Sequence, residues 1–406
     1  MKRATILAFL FLGFAVAADP FQKGDAKVTA SVLNVRNIAS SGGEVVGSVR
    51  RGDIVRVIDR SVNTAVVENV TDYWYKIALP DGKTGWVFGG FITFEVNMEA
   101  GLRFRSIRPA DESFNGIAFF PSGEAIAGTD SGNLFATADR GRNFRKIVPQ
   151  ALGNKMGTVH RIIQIGGEIW IAAGGSSRGG IWKTSNSGAS WTQFTVSQGL
   201  PSNEVNDIFH AADGSFWAAT DGGIAFSRNA GVKWEKFGPE KIPGRFLSVI
   251  FLARNGTGLV LGGAENGLYA VEQRSGFFGG KTEEWSAIGS GHAAVNCITA
   301  GADGSIFYAT DGGLFRASAD HPEDRNAIGG ETVVHYITIQ TTSSNQTRII
   351  VATDNGLNIS LDQGVSWSTY KTEHGLAGNR ILQAAVHPQD KTIWTVSGRD
   401  GISLHD

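Results

Sequence analysis

The chain has 406 residues, more than the ~100–200 of an ordinary domain, which indicates several domains or one large all-β fold. Its 37 Lys and Arg residues balance 38 Asp and Glu, which excludes a protein that holds nucleic acid or an acidic membrane through a basic surface. Glycine is unusually frequent, at 54 residues beside ten Trp and 24 Phe, a mixture typical of many short strands joined by tight turns.

Residues 1–18 have the pattern of a secretory signal peptide. Lys2 and Arg3 precede an apolar stretch at residues 6–14 that is too short to span a bilayer, and residues 15–17 form an A-x-A cleavage site. No other apolar run in the sequence reaches the ~18 residues that a membrane helix needs. We therefore expect a periplasmic or extracellular protein without a transmembrane segment, with a permanent N-terminal anchor as the alternative.

The sequence contains one cysteine, Cys297, so an intrachain disulfide is excluded. It lies in the segment Ala294-Val-Asn-Cys-Ile-Thr, which predicts an inward-facing position on a strand. A small buried thiol is the expected role, and a reactive nucleophile is the alternative. An exported chain without disulfides needs a large hydrophobic core.

Residues 26–96 alternate between predicted short strands and turns. The predicted strands are 28–35, 45–49, 54–58, 74–79 and 84–88. The turns between them include Pro80-Asp81-Gly82-Lys83, and Asp-Gly is a strong hairpin signal because both residues tolerate positive φ. This pattern predicts a small barrel.

The predicted barrel resembles the bacterial SH3 family. The matching motifs are Leu33-Asn34-Val35-Arg36, Gly47-Ser-Val-Arg-Arg-Gly52, Trp74-Tyr75-Lys76-Ile77 and Asp81-Gly82-Lys83-Thr84-Gly85-Trp86-Val87. The resemblance implies an SH3-like barrel that binds cell-wall peptides or proteins. The sequence departs from the family where Asn37-Ile-Ala-Ser-Ser replaces the usual Gly-Pro turn, and where residues 61–72 are expected to form an enlarged loop.

The family's aromatic groove suggests candidate ligand-binding residues, which are Tyr73, Trp74, Tyr75 and Trp86. At least one of the two tyrosines should face outward, because adjacent residues of a strand point to opposite sides. The alternative role for the two tryptophans is in the core of the barrel.

The remainder of the chain repeats itself with a period of 43 to 48 residues. The period is marked by glycines that end a turn before a strand, at Gly132, Gly180, Gly223, Gly267, Gly313, Gly356 and Gly401. Each unit has the pattern of four strands, as in 205–211, 216–220, 224–228 and 232–237. A period of ~40–50 residues with four strands is that of a β-propeller blade.

The seventh unit ends after three predicted strands. The missing outer strand is expected at the other end of this region, where Gly101-Leu-Arg-Phe-Arg-Ser-Ile resembles the fourth-strand pattern Gly231-Val-Lys-Trp-Glu-Lys-Phe. The predicted architecture is therefore all-β, with an SH3-like barrel (26–96) followed by a seven-bladed β-propeller (98–406) closed by an N-terminal strand. Six blades with a separate hairpin are the alternative.

Four turns between the third and fourth strands share a second pattern. They are Thr137-Ala-Asp139-Arg-Gly141-Arg-Asn-Phe144, Thr184-Ser-Asn186-Ser-Gly188-Ala-Ser-Trp191, Ser227-Arg-Asn229-Ala-Gly231-Val-Lys-Trp234 and Ser360-Leu-Asp362-Gln-Gly364-Val-Ser-Trp367. The pattern resembles the Asp-box of BNR-type propellers, and we expect a structural role for it. The Asp or Asn side chain can satisfy backbone N–H groups of the turn, the glycine accepts positive φ, and the tryptophan packs between sheets.

A further resemblance is to the two-component regulator propeller repeat. Its motifs are Gly199-Leu-Pro-Ser-Asn203-Glu-Val-Asn-Asp-Ile and Gly375-Leu-Ala-Gly-Asn379-Arg-Ile-Leu. Such repeats commonly form sensor ectodomains. No membrane helix or kinase follows in this sequence, so the sensing role is not expected to carry over.

Strand order places the turns after the second strands and the connections between units on one face of the propeller. Its candidate ligand-binding residues are Asp130, Arg178, Asn203, Glu204, Asp221, Glu265, Asp311, Asp354, Arg380 and Asp400, with His160, Arg161 and Asn379 on neighbouring predicted loops. A ring of carboxylates around a channel could hold a cation, a sugar or a basic peptide. The alternative is that Asp precedes Gly in these turns because hairpins favour it.

No catalytic residues are assigned from the sequence. A sialidase needs three arginines, a tyrosine with a glutamate beside it and an acid/base aspartate, and the tyrosines here lie inside predicted strands. The eight histidines show no zinc-binding spacing, and no phosphate-binding glycine motif is present, so neither metal nor cofactor is expected.

The leading hypothesis is an exported bacterial binding protein without enzymatic activity. Its partners would be peptidoglycan or an exported protein, with a glycan as a further candidate and nucleic acid excluded. The main alternative is a glycan-acting hydrolase that the barrel targets. An assembly factor like the Asp-box propellers that serve photosystem II is a third hypothesis, which rests on fold analogy.

Overall fold

A computed structural model describes the chain in 16 segments, namely residues 24–68, 70–79, 82–94, 102–147, 156–238, 244–254, 257–274, 285–288, 293–301, 304–318, 321–322, 326–328, 332–341, 347–361, 363–364 and 366–405. The predicted signal peptide (1–18) and Asp362 lie outside these residues. The chain divides into two compact units, Met1–Asn97 and Met98–Asp406. No helix in the described segments is long and apolar enough to cross a membrane.

The first unit contains one sheet of seven described strands. They are β1 (Gly24–Val28), β2 (Val32–Arg36), β3 (Val45–Arg50), β4 (Ile54–Val67), β5 (Val70–Ala78), β6 (Thr84–Phe88) and β7 (Ile92–Phe94). Their order in the sheet is β3-β2-β6-β5-β4-β1-β7, and a 3-10 turn at Gly89–Phe91 precedes β7. Alternating apolar residues such as Leu33 and Val35 face the core of this unit, as the period of two predicts.

The segment expected to be an enlarged loop, residues 61–72, is a β-hairpin arm. Strand β4 continues to Val67 and β5 begins at Val70, with Thr64 opposite Tyr73 and Val66 opposite Thr71. Valines and threonines dominate this stretch, and β-branched residues favour the extended ladder over an irregular loop. The expectation of a loop was therefore wrong.

The second unit is all-β apart from 3-10 turns at Val196–Gln198 and Thr372–His374. Its first nine described strands in chain order are β8 (Phe104–Ile107), β9 (Phe114–Phe119), β10 (Ala125–Thr129), β11 (Leu134–Thr137), β12 (Arg145–Ile147), β13 (Thr158–Ile165), β14 (Glu168–Gly174), β15 (Gly180–Thr184) and β16 (Thr192–Phe194). The next eight are β17 (Val205–His210), β18 (Phe216–Thr220), β19 (Gly223–Ser227), β20 (Glu235–Phe237), β21 (Phe246–Arg254), β22 (Thr257–Ala264), β23 (Gly267–Arg274) and β24 (Ser286–Ile288). The remaining strands are β25 (Val295–Ala300), β26 (Ser305–Thr310), β27 (Gly313–Ser318), β28 (Asn326–Ala327), β29 (Val334–Thr341), β30 (Thr347–Thr353), β31 (Gly356–Ser360), β32 (Ser368–Tyr370), β33 (Gln383–Val386), β34 (Ile393–Val396) and β35 (Ile402–His405).

These strands form a propeller-like domain of four-stranded antiparallel sheets. Six sheets use consecutive strands, from β9–β12 to β29–β32, and the remaining one has the order β33-β34-β35-β8. In that sheet, Ser106 of β8 lies opposite Ser403 of β35. The first strands, β9, β13, β17, β21, β25, β29 and β33, pack side by side in this order, and β33 also packs against β9. We call the space between them the axial space.

The seven glycines that mark the repeat share one backbone conformation. Their φ values lie between 78° and 136°, in the left-handed region that L-residues with a side chain rarely adopt. A Cβ atom at Gly180 or Gly401 would also collide with a backbone carbonyl of the neighbouring outer strand, that of Phe194 or Ile107. The period in the sequence therefore follows from one turn that recurs in each sheet.

The core of the second unit lies between adjacent sheets. Trp182 of one sheet packs with Ile126 and Leu134 of the preceding sheet in a single buried cluster. Trp217 stacks on Phe251 of the next sheet, with ring centroids 4.9 Å apart. Each sheet thus buries apolar residues on both faces, which explains the high content of aromatic residues.

Candidate functional site

The four aromatic candidates of the barrel lie on two faces of its sheet. Trp74 pairs opposite Phe88, and Lys76 pairs opposite Trp86, so these side chains share one face. Tyr73 and Tyr75 belong to the other face and join the core cluster of the unit. The sheet register therefore does not bring all four aromatics into one groove.

Burial separates these aromatics into two kinds. Trp74 is 4% exposed, with its ring edge-on to Phe88, and Tyr75 is 3% exposed. Tyr73 and Trp86 are each half-buried. Only the latter two therefore combine an aromatic ring with access to solvent, while Trp74 and Tyr75 are core residues.

The hairpin arm adds two charged residues that the sequence did not single out. The guanidinium of Arg60 lies over the ring of Tyr73, 4.0 Å from its centroid. Burial raises the pKa of Asp72, although the backbone N–H of Tyr73 and the charge of Arg60 act against this shift. Burial likewise raises the pKa of Tyr75, with the charge of Asp72 adding to the effect. Because residues 61–72 were expected to be a loop, sequence reasoning gave Asp72 no position, and Arg60 directly before that segment was not singled out.

In the propeller unit, a β-bulge recurs near the start of six first strands. The residues skipped by the ladder are Asn115, His160, Asn206, Leu247, Asn296 and His335. Four of them hydrogen-bond a backbone carbonyl of the next sheet. The pairs are Asn115 Nδ2 to Val159 O (3.1 Å), His160 Nδ1 to Val205 O (2.9 Å), Asn206 Nδ2 to Phe246 O (2.7 Å) and Asn296 Nδ2 to Val334 O (3.0 Å). The bulge thus turns a polar side chain toward the neighbouring sheet.

Three of the predicted carboxylates are paired with these bulge residues. Asp221 accepts a hydrogen bond from Asn206 Nδ2 and Asp311 accepts one from Asn296 Nδ2, each at 2.9 Å. Asp354 Oδ1 lies 2.7 Å from His335 Nε2. In these three sheets, polar groups thus tie the turn after the second strand to the bulge of the first strand.

Arginines complete two of these clusters. Arg245 Nε lies 3.1 Å from Asp221, and Arg380 Nε lies 3.0 Å from Asp354. Burial would raise the pKa of Asp354, but the hydrogen bonds and charges of His335 and Arg380 outweigh it and lower the pKa. The carboxylates in these two clusters therefore have their countercharges within the protein.

Other predicted face residues hold turns together. Asn203 Oδ1 accepts from the backbone N–H of Val196 at 2.9 Å, and Asn379 Oδ1 does the same for Thr372. Glu204 accepts from the backbone N–H of Gly175 at 2.8 Å. The remaining candidates, Asp130, Arg178, Glu265 and Asp400, have exposed side chains. The recurring Gly-Leu-x-x-Asn motif thus follows a 3-10 turn in both copies, and its Asn side chain caps the start of that turn.

A charged cluster in the axial space was not foreseen from the sequence. Arg161 was placed on a loop, but it lies within β13 directly after the bulge. Its Nε donates to Asp207 Oδ1 on β17 at 3.1 Å, and both side chains are buried. Ser248 on β21 donates its hydroxyl to Asp207 Oδ2 at 2.7 Å and accepts the backbone N–H of Ile298 on β25 at 3.1 Å.

The cluster reaches across the axial space to β29. Arg161 lies over the ring of Tyr336, with its guanidinium carbon 4.1 Å from the ring centroid. Cys297 is buried nearby, as the sequence predicted, and burial raises the pKa of its thiol to about 11, which keeps it protonated and unreactive. The one feature of the sequence that could have revealed this cluster is a polar residue at the same position in several otherwise apolar strands.

A cavity of about 370 Å³ adjoins this cluster. Its lining includes Asp207, Cys297, Thr299 and Tyr336, with apolar walls contributed by residues such as Ile163. Asp207 is the one acidic residue that lines it among the described residues. Within the same residues, no group of three or more His, Cys, Asp or Glu side chains is placed to hold a metal ion.

The turns that resemble Asp-boxes share one hydrogen-bond pattern. Asn229 Oδ1 accepts the hydroxyl of Ser227 and the backbone N–H of Lys233, each at 2.9 Å. The Ser227 hydroxyl in turn accepts the backbone N–H of Gly231 at 3.0 Å, and Gly231 has a φ of 85°. Asn186 and Gly188 repeat this pattern, as do Asp139 and Gly141.

The tryptophans of this motif pack at the turns. Trp191 and Trp367 donate from Nε1 to the carbonyls of Gly188 and Gly364 respectively, each at 3.1 Å, and Trp234 is buried.

We expect the pKa of the Asp139 carboxyl to be lowered from its ordinary value to about 2. The backbone N–H of Asn143, the side-chain amide of Asn143 and the hydroxyl of Thr137 all donate to its charged form. Because the folded pKa is below the unfolded one, its contribution to stability is present above pH ~4 and is lost as the pH falls toward 2. Carbon-13 NMR titration with labelled aspartate measures this pKa, and Asp139→Asn identifies the signal. A pKa near 4 for Asp139 would contradict the hydrogen-bond pattern of this turn. Asn143→Ala removes one of the donors and should raise the pKa of Asp139.

Two family models match parts of this chain. Residues 31–93 match the bacterial SH3 domain, and residues 148–287 match the DUF6242 beta propeller domain. The chain therefore contains a bacterial SH3 domain and a propeller domain. No curated protein sequence gives a significant match to the chain.

Solved structures resemble the chain over about three quarters of its length. The extracellular domain of a putative hybrid two-component system from B. thetaiotaomicron is 18% identical, with a TM-score of 0.60 over 75% of this chain and 42% of that chain. YCF48 from Cyanidioschyzon merolae is 15% identical, with a TM-score of 0.51 over 75% of this chain and 98% of that chain. The GH74 xyloglucanase from Xanthomonas campestris is 17% identical, with a TM-score of 0.52 over 74% of this chain and 53% of that chain. At these identities the likeness is one of fold, and the chain spans about two fifths of the length of that extracellular domain.

Proposed function

We propose that this chain is an exported bacterial binding protein without enzymatic activity. Its first unit, residues 26–96, would bind peptidoglycan or a protein, and its second unit, residues 98–406, would bind another partner. The match of residues 31–93 to the bacterial SH3 domain carries this proposal, because such domains commonly bind peptidoglycan or proteins. Export is supported by the signal-peptide pattern of residues 1–18 and by the similarity to an extracellular sensor domain.

We also propose that the second unit is a seven-bladed propeller closed by its N-terminal strand. The pairing of β8 with β35 and the packing of β33 against β9 support this arrangement. Closure of this kind leaves fewer free sheet edges and joins the two ends of the domain.

A glycan-acting hydrolase stays the alternative. A glycosidase of the usual kind needs two carboxyl groups facing each other across the substrate. The described lining of the axial cavity has one carboxylate, Asp207, which already binds Arg161 and Ser248. On the predicted face, Asp221 and Asp354 are paired with arginines.

We expect the protein without residues 1–18 to co-sediment with purified peptidoglycan. Trp86→Ala or Tyr73→Ala should weaken this binding at least several-fold, because both rings are half-buried and offer aromatic surface to a ligand. Whichever change weakens binding identifies the face of the sheet that holds the ligand. Trp74 and Tyr75 are unsuitable for this test because their replacement would disrupt the core.

Val66→Ala is the matched control, because Val66 is 68% exposed at the end of the hairpin arm. Absence of binding by the unaltered protein would overturn the cell-wall proposal. The barrel would then be tested against exported proteins and the propeller against glycans.

A further inference from the structure

The guanidinium of Arg161 is buried with most of its donors unused. The residue is 7% exposed, and its Nε–H donates to Asp207. Among the described residues, Nη1 and Nη2 have no hydrogen-bond partner, and Tyr336 offers only the face of its ring. A buried guanidinium normally has its N–H groups paired, because each unpaired donor costs desolvation energy.

The unpaired end of Arg161 is accessible from open space. Its Nη atoms are not among the fully enclosed polar atoms that lack a partner. Arg161 lies on a first strand and spans from β17 to β29 across the axial space. Asp207 and Tyr336, the two residues that Arg161 contacts, both line the cavity of about 370 Å³.

We propose that Arg161 binds the carboxylate of a small organic acid in the axial space, with the apolar part of that acid in the adjoining cavity. The Nη1–Nη2 edge of a guanidinium presents two parallel N–H donors, which match the two oxygens of a planar carboxylate. Asp207 occupies the Nε side and leaves this edge for the ligand.

The surroundings select a monoanion with an apolar body. Asp207 already balances the charge of Arg161, so a bound monoanion leaves the site with one net negative charge, and each further negative charge on the ligand would add repulsion from Asp207 in a buried site. Ile163, Ile298 and Ile337 provide apolar walls for the ligand. The hydroxyl of Thr299, which also lines the cavity, is an additional donor for a polar group.

This binding site goes beyond the proposed function, because it uses neither the barrel nor the predicted carboxylate face. A carboxylate of this kind occurs in a free branched-chain acid and at the end of a peptide. Two pairs of probes distinguish these sources: 4-methylpentanoate with 4-methylpentanamide, and N-acetyl-L-leucine with N-acetyl-L-leucinamide.

Calorimetric titration of the purified chain is the test. We expect at least one acid to bind ten times more tightly than its own amide, since the amide lacks the charge and one acceptor. Preference for 4-methylpentanoate would indicate a free acid, and preference for N-acetyl-L-leucine would indicate a chain end. If neither acid binds more tightly than its amide, the proposal is wrong, and this result requires no variant.

Two variants then locate the site. Arg161→Lys keeps the charge and removes the planar edge, so affinity for the acid should fall at least tenfold. Should that variant not fold, Thr299→Phe at a half-buried position fills the cavity and should abolish binding. Arg142→Lys, at an exposed position outside the candidate ligand-binding residues, is the matched control and should bind as the unaltered chain does. Unchanged acid binding in the folded Arg161→Lys or in Thr299→Phe would overturn the assignment.

Discussion

Replacing Asp207 with alanine should lower the free energy of unfolding by about 3–5 kcal/mol. The change leaves Arg161 as a buried positive charge without its partner, while the hydroxyl of Ser248 and the backbone N–H of Ile208 lose an acceptor. Burial alone would lower the pKa of Arg161, but the charge and hydrogen bond of Asp207, with smaller effects from Tyr336 and Cys297, together raise it. Removal of the carboxylate therefore exposes the full desolvation cost of the guanidinium.

Urea unfolding at equilibrium measures this loss. Asp111→Ala is the matched control, because its side chain is 95% exposed and pairs with an exposed Arg108, so it should change stability by less than ~1 kcal/mol. Replacing Arg161 and Asp207 together with leucine should recover most of the loss, because a buried ion pair contributes little net stability over apolar residues. Equal stability of Asp207→Ala and Asp111→Ala would show that the cluster does not form as described.

The second large effect concerns β8. Phe104→Ala should destabilise the chain by about 3–5 kcal/mol, the usual cost of removing a buried phenylalanine. Phe104 is buried, packs edge-on against Tyr370 at 5.8 Å between ring centroids, and lies opposite His405 in the sheet. If β8 completes the last blade, this single change weakens the junction between the two ends of the propeller.

Arg103→Ala is the neighbouring control, because Arg103 is exposed and makes one 3.3 Å hydrogen bond to the carbonyl of Glu373. It should cost less than ~1 kcal/mol. Thermal and urea unfolding compare the two variants. If Phe104→Ala is no more destabilising than Arg103→Ala, closure by β8 would have to be abandoned.

The bulges connect the fold of the propeller to its candidate surface. Five of the six bulges place a polar side chain where it bonds either to the next sheet or to the acidic turn of its own sheet. Asn206 does both, through Phe246 O and Asp221 Oδ1. Acidic residues at these turns thus have a structural partner as well as an exposed position, so that ligand binding would compete with these hydrogen bonds for the same carboxylate oxygens.

Much of the architecture could be predicted from local patterns. The predicted strands 84–88 and 216–220 coincide with β6 and β18, and the period of the marker glycines follows the sheets. These patterns are reliable because they depend on neighbouring residues. A turn that requires positive φ selects glycine, and a strand buried on one or both faces selects apolar residues at fixed intervals.

The candidate site was less predictable. Tyr73 and Tyr75 were grouped with Trp74 and Trp86, but the register of β5 with β6 separates them onto two faces. Arg161 was assigned to a loop, because a single charged residue beside a turn gives no local sign that it belongs to a bulged strand. The residues that meet it are distant in the chain, since 46 residues separate Arg161 from Asp207.

The sequence by itself therefore determined the class of fold, the repeat and the positions of the turns, because backbone conformation and strand burial are set by short-range steric and hydrophobic preferences. Only the tertiary structure decided which polar groups meet. Arg161, Asp207 and Tyr336 lie on three different sheets, and a buried charge is tolerated among them because packing brings a carboxylate and an aromatic face to the same point.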